Sequence, residues 1–290
     1  MSAEPDNTAT LDPQGCVHVP LPKVEMTAEM VVYEADGTFD PAAYPGLQYV
    51  RVRAVGGGGG SVGAGPVTYG STIAVGSSGG AGSYAESVLT AAQLPAGPIP
   101  VWVGDGGAGA PYGQNAGNGT LSSFGGDPTP PLTGLVVALW GLGGGSGNDP
   151  SQPGTNIHDA KTFMGLRGSP NLEHSSPVSS IGQLVIPGGA GDPSWGLGED
   201  VLGPGSTLAI GGTGGTTPLS GRVAGEVSIH RGGGGAWAQG ISTFSGNLPY
   251  GTGGAAPVSR IDGTAAEPDG YDGAPGVVIV EVVQLTVTAA

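Results

Sequence analysis

A single cysteine, Cys16, leaves no partner for an internal disulfide, so no cross-linked framework holds this chain. Eight lysines and arginines stand against 23 aspartates and glutamates, for a formal net charge of −15. Phosphate backbones are bound by clustered basic residues, so this balance excludes nucleic acid as a partner and disfavours an anionic membrane surface. The acids are scattered, and solubility is their default role. No run of about 20 apolar residues occurs, so no membrane insertion is expected. Met1–Pro20 has neither a basic stretch nor an apolar centre and does not read as a secretory signal. No segment sustains a helical period, and Pro5, Pro13, Pro20 and Pro22 argue against a long helix near the start.

What the chain has instead is glycine, 61 residues of 290, with 26 prolines. The centre of the pattern is Gly56–Gly60, directly after Tyr49–Val55. In that preceding run Val50, Val52 and Ala54 alternate with Tyr49, Arg51 and Arg53, the pattern of a strand with one apolar face. The same join recurs where Val101–Val103 runs into Gly104, Leu135–Trp140 into Gly141, Leu208–Ile210 into Gly211, and Val227–Arg231 into Gly232–Gly235. Bare backbone still carries N–H and C=O groups that need partners. A polyproline II-type threefold helix points those groups outward, and without side chains several such helices can approach and bond to each other. The alternative is flexible coil, the default for glycine-rich runs. The repeated strand-then-glycine join favours order. The fold class expected is therefore all-β, with short strands joined to packed glycine-rich, polyglycine II-like segments and long irregular loops.

Along the chain, residues 1–29 read as a polar extended arm, Glu29–Ala35 as a strand, Asp36-Gly37 as a turn, and Phe39–Gly46 as a loop. Ser83–Leu89 reads as a strand edge or a short helix, Ile99–Val103 as a strand, and Ser122-Ser123-Phe124 as an anchor for a loop. Residues 146–180 and 236–270 read as inserted loops, where binding tends to sit. Val277–Val283 is the most strand-like run. Two domains are expected: an arm with the first strand over 1–46, and a glycine-rich β domain over 47–290.

Several motifs imitate catalytic ones. Gly58–Gly63 and Gly104–Gly109 match the dinucleotide fingerprint G-x-G-x-x-G, but Pro66 and Pro111 come where a helix must open. At this glycine content the pattern arises by chance about two to three times. Gly76–Gly80 matches the nucleophile elbow G-x-S-x-G without a helix start behind it. Gly144–Asp149 fits one calcium β-roll repeat, a fold that needs tandem copies. His158 has no second histidine at ligand spacing. No enzyme, cofactor or metal site is expected.

Five pieces taken in order, Val52–Gly60, Gly79–Leu89, Leu94–Gly109, Gly117–Gly126 and Asp272–Val283, resemble the glycine-rich domain of tail fibre and minor tail proteins of tailed bacteriophages. The resemblance covers roughly residues 47–145 and 270–284, and residues 146–269 depart from it. It implies a virion structural protein of the tail, made in the host cytoplasm, whose packed glycine helices are capped by variable loops. The implied partners are other phage tail proteins, copies of itself as a homo-oligomer with a trimer favoured, and a host cell-surface glycan or protein. The 1–46 arm would dock to the tail assembly. Candidate receptor-binding residues are Trp195, Trp237 and Tyr250 as stacking platforms for a sugar, with His158 and His174; the competing reading is that the aromatics fill core. The alternative class is a glycine-rich bacterial cell-surface structural protein, which should carry a secretion signal or long Gly-Gly-Ala tandems.

Overall fold

A computed structural model describes residues 10–11, 17–18, 23–64, 73–126, 134–144, 155–157, 163–164, 180–191, 195–197, 207–210, 213–220, 227–230, 238–240, 250–257 and 269–288. Two antiparallel sheets form its sandwich. Their strands in chain order are β1 (Lys23–Tyr33), β2 (Gly37–Phe39), β3 (Leu47–Val55), β4 (Tyr84–Thr90), β5 (Ile99–Trp102), β6 (Ser122–Phe124), β7 (Val136–Ala138), β8 (Leu184–Ile186) and β9 (Val277–Thr288). One sheet has the order β8-β4-β3-β9-β1 and the other β7-β6-β5-β2. Among the described residues the helical turns are short 3₁₀ pieces, Pro41–Ala43 and Ala91–Gln93, and no helix is long and apolar enough to cross a membrane.

The alternation in β3 does what its period demands. Val50, Val52 and Ala54 are buried, and their cross-strand partners Val282, Val280 and Val278 on β9 extend the same face. The facing sheet supplies Phe39, Ile99, Val101, Phe124, Val136 and Ala138. Phe39 lies against Phe124 with ring centroids 5.7 Å apart. On the outer face Arg51 pairs with Glu86 across β3 and β4 at 2.7 Å, and Arg53 with Glu281 at 3.9 Å.

Smaller pairings lie elsewhere. Ile73–Val75 pairs with Thr155–Ile157, and Thr10–Leu11 with Val17–His18. Phe163–Met164, Trp195–Leu197, Thr207–Ile210, Val227–His230 and Ala238–Gly240 form an antiparallel sheet in that order.

The all-β expectation holds, with differences in detail. β1 begins at Lys23 rather than Glu29, because β9 continues to Thr288 and pairs with it along its whole length. Gly37 opens β2 instead of closing a turn. Tyr84–Thr90 is a full strand inside its sheet. Ser122–Phe124 is a strand, not a loop anchor, and Phe124 is fully buried. Residues 250–257, expected within a loop, join the packed glycine segments described below. Gly211-Gly212 and Gly232–Gly235 lie outside the described residues.

Candidate functional site

Glycine segments prolong the main-sheet strands beyond the sandwich. Segment 56–63 leaves β3, 104–110 leaves β5, 139–144 leaves β7 and 187–191 leaves β8. Segments 76–83, 116–121 and 270–276 return into β4, β6 and β9. The result is a bundle of outgoing and returning extended chains.

Segment 56–63 sits at the centre, and its hydrogen bonds repeat every three residues. Gly56, Gly59 and Val62 donate their N–H groups to the carbonyls of Ser83, Gly80 and Ser77. Gly57 and Gly60 donate to Thr120 and Gly117, at 2.9 and 3.0 Å. Gly58 and Ser61 donate to Ala274 and Tyr271, at 2.9 and 2.8 Å. The acceptors belong to three returning segments, because the partner numbers fall as the donor numbers rise. The carbonyls of the same segment accept from outgoing ones. Gly57 and Gly60 accept from Gly141 and Gly144, Gly58 and Ser61 from Gly107 and Ala110, and Gly59 from Gly254 of segment 250–257. That segment runs in the same direction, Thr252 lying against Gly58 and Gly254 against Ser61. Three antiparallel neighbours and three parallel neighbours therefore enclose one chain. A period of three with bonds in every lateral direction is the geometry of polyglycine II, the threefold analogue of a sheet.

Such enclosure leaves no room for a Cβ. A methyl at Gly56, Gly57, Gly58, Gly59 or Gly60 would overlap the backbone carbonyl of Leu139, Asp105, Thr252, Leu142 or Ala108, respectively. Segment 76–83 is buried throughout as well. Its Gly76, Gly79 and Gly82 donate to Pro257, Gly254 and Gly251, while Gly80 and Ser83 donate to Leu142 and Leu139. Where period two changes to period three, backbone groups lose their sheet partners and small hydroxyls replace them. Ser122 Oγ donates to Val55 O at 2.7 Å and accepts from Gly104 N–H at 2.9 Å. Ser83 Oγ accepts from Leu139 N–H at 2.7 Å.

At the edge of the lattice the period becomes visible as exposure. Along 101–110, Val101, Gly104, Gly107 and Ala110 are buried, while Trp102, Asp105 and Ala108 face solvent. Trp102 and Asp105 open onto a cleft of about 560 Å³ at the seam between sandwich and lattice. Trp140, Asn118, Thr120, Leu121, Asp36 and Val103 line it as well. Its polar groups are held by backbone bonds. Asp36 Oδ1 accepts from Val103 N–H at 2.8 Å, Thr120 Oγ1 from Asp105 N–H at 2.7 Å, and Asn118 Oδ1 from Gly143 N–H at 2.9 Å.

The residues expected to bind fare differently. Tyr250 is half-buried and packs with the Val55, Tyr84 and Val277 cluster. Its hydroxyl donates to Glu34, and this bond, with burial second, raises its pKa. Trp195 lies in the strand Trp195–Leu197. Trp237, His158 and His174 lie outside the described residues. The cleft tryptophans were not among the candidates. Their signal was position, since each stands within two residues of the glycine that ends its strand, Gly104 or Gly141. Of the catalytic look-alikes, residues 58–63 and 104–109 are lattice segments, not helix openings. Ser78, which holds the serine position of the apparent nucleophile elbow, is fully buried within segment 76–83. Among the described residues no group of three or more His, Cys, Asp or Glu side chains is placed to hold a metal ion.

A β-sandwich continued into a threefold glycine lattice defines a structural domain whose interior is closed by backbone. The glycine-rich domain family matches residues 34–283, and the chain belongs to that family. A comparison with curated proteins returned no match.

Proposed function

We propose that this chain is a virion structural protein of a bacteriophage tail, a minor tail protein or part of a tail fibre or tip. In this reading it is a non-enzymatic scaffold displaying residues within 146–180 and 236–249 to a host-surface receptor. The observation that carries it is the laterally bonded lattice around 56–63, which gives a stiff base without bulky side chains. The five stretches that resemble phage tail domains each span one strand-to-lattice junction, at β3, β4, β5, β6 and β9. The likeness is thus to the junctions themselves and not to glycine content alone. Partnership with tail proteins or further copies is supported by the outer face of the larger sheet. There Val24, Met26, Met30, Val32, Val88, Leu184 and Val287 are exposed, and such patches mark interaction surfaces.

The test is to detect the chain in purified virions and then delete residues 150–175. The expected outcome is intact particles that no longer adsorb to host cells. Unchanged adsorption removes those loops as the receptor site, and finding the chain on bacterial surfaces but not in virions favours the cell-surface alternative.

A further inference from the structure

We propose that the cleft between Trp102 and Trp140 is a binding site for a neutral saccharide of more than one ring. Two of the chain's four tryptophans line it, and Trp102 keeps 38% of its surface exposed although it terminates a core strand. An indole presents a flat apolar face that fits the C–H face of a sugar ring. Around those faces stand hydrogen-bonding groups of both kinds: carboxylates at Asp36 and Asp105, an amide at Asn118 and a hydroxyl at Thr120. Sugar hydroxyls both donate and accept, so a mixed set of this sort matches them where a purely apolar groove does not.

Charge and size narrow the class. Among the described residues two carboxylates and no basic side chain line the cleft, which repels phosphorylated, sialylated or uronic ligands. A volume of about 560 Å³ lies within the range of small-molecule sites, roughly 300–1,000 Å³. A quaternary ammonium held over the indoles is the competing cation. It would leave Asn118 and Thr120 without use and most of the space empty.

The cleft is also rigid. Asp105, Asn118 and Thr120 sit on lattice segments whose backbones bond to each other, Thr120 N–H to Asp105 O at 2.9 Å and Gly119 N–H to Gly141 O at 3.1 Å. Binding therefore orders little of the protein, which favours affinity. The assignment deepens the attachment reading and rests on it for its biological sense, while binding itself is measurable on the isolated full-length chain.

The experiment titrates that chain with neutral gluco-, galacto-, manno- and rhamno-configured oligosaccharides, monitored by tryptophan fluorescence, with choline and a sialylated oligosaccharide as further arms. The expected result is saturable binding of at least one neutral oligosaccharide. Trp102→Ala and Trp140→Ala should each weaken it by at least about tenfold, as truncation of a buried aromatic contact does, and Asp105→Asn should weaken it less. If Trp140→Ala fails to fold, Trp102→Ala and Asp105→Asn carry the test, with melting temperature as the control. No binding of any neutral oligosaccharide, preference for choline or the sialylated probe, or binding indifferent to Trp102→Ala and Asp105→Asn would each overturn the proposal. Mass spectrometry of virions separates the two ideas. A chain present in particles that binds no sugar sinks only the cleft, and a chain absent from particles that binds sugar through Trp102 supports the cleft without the phage role.

Discussion

The sandwich and the lattice solve the same problem with opposite parts of the residue. Between the sheets, Val52, Val280 and Phe124 exclude water with side chains, and each strand bonds only to its lateral neighbours. Around 56–63 there is almost no side chain to exclude anything, and the backbone bonds in all directions. In the first region the hydrophobic effect supplies the stability and hydrogen bonds fix the register. In the second, close approach of main chains keeps water out, and an N–H or C=O without a partner is the defect to avoid. A sandwich is therefore weakened by taking atoms away, and the lattice by adding them.

The sharpest way to break this contrast is Gly58→Ala, which adds one methyl group. Its Cβ would overlap Thr252 O, a backbone atom that cannot move without displacing its own neighbours. We expect a loss above about 5 kcal/mol, enough to prevent folding, and circular dichroism with a thermal melt would show it. Phe124→Ala removes a whole ring from the sandwich and should cost about 3–5 kcal/mol. Were the alanine at 58 milder than the alanine at 124, the lattice would not be the rigid element claimed for it. Ser122→Ala tests the junction. It strands Val55 O and Gly104 N–H, and a loss of about 1–3 kcal/mol by chemical denaturation is expected.

A smaller effect appears in pH. Burial first, then its hydrogen bond to Glu86, pushes the Tyr84 pKa up to about 12. A raised pKa means that the contribution is present below the unfolded value of 10 and is lost as pH rises through about 12. Glu86 is shifted the other way, first by its bond to Arg51, so its contribution is present above 4.5 and fades as pH falls. Melting temperatures of the native chain and Tyr84→Phe should differ by a constant amount between pH 4.5 and 10 and converge between 10 and 12. Curves that stay parallel would remove Tyr84 from the account. The smallest effect belongs to Ala108→Ser, on the exposed third of an edge segment, expected within about 0.5 kcal/mol of zero.

The same contrast explains what could be read from the sequence. Period two in 49–55 was legible because a sheet strand declares its buried face every other residue, and 277–283 was legible as a run rich in β-branched residues. Five adjacent glycines at 56–60 were legible as bare backbone, and the lattice explains the number, since a chain enclosed on all sides has no third position free. At the edge, Gly104-Asp105-Gly106-Gly107-Ala108-Gly109 admits a side chain every third residue, and that is where Asp105 and Ala108 stand. Which segments touch was not legible, because Gly56, Gly57 and Gly58 find partners at Ser83, Thr120 and Ala274, separations no local pattern encodes. Residues 250–257 were missed since Thr252 interrupts their glycines. The Trp102–Trp140 cleft was missed for a related reason. Its walls come from strands that become neighbours only through β6.

β9 lies between β3 and β1, and segment 270–276, which leads into it, supplies one of the six walls around 56–63. During synthesis the middle of the larger sheet and one side of the glycine bundle stay vacant until residues 270–288 have left the ribosome. The two parts then close only through contacts between segments distant in the sequence, which is slow and leaves strand edges open to foreign chains meanwhile. Chaperone dependence during expression, and aggregation of any version cut before residue 270, are the practical face of that threading.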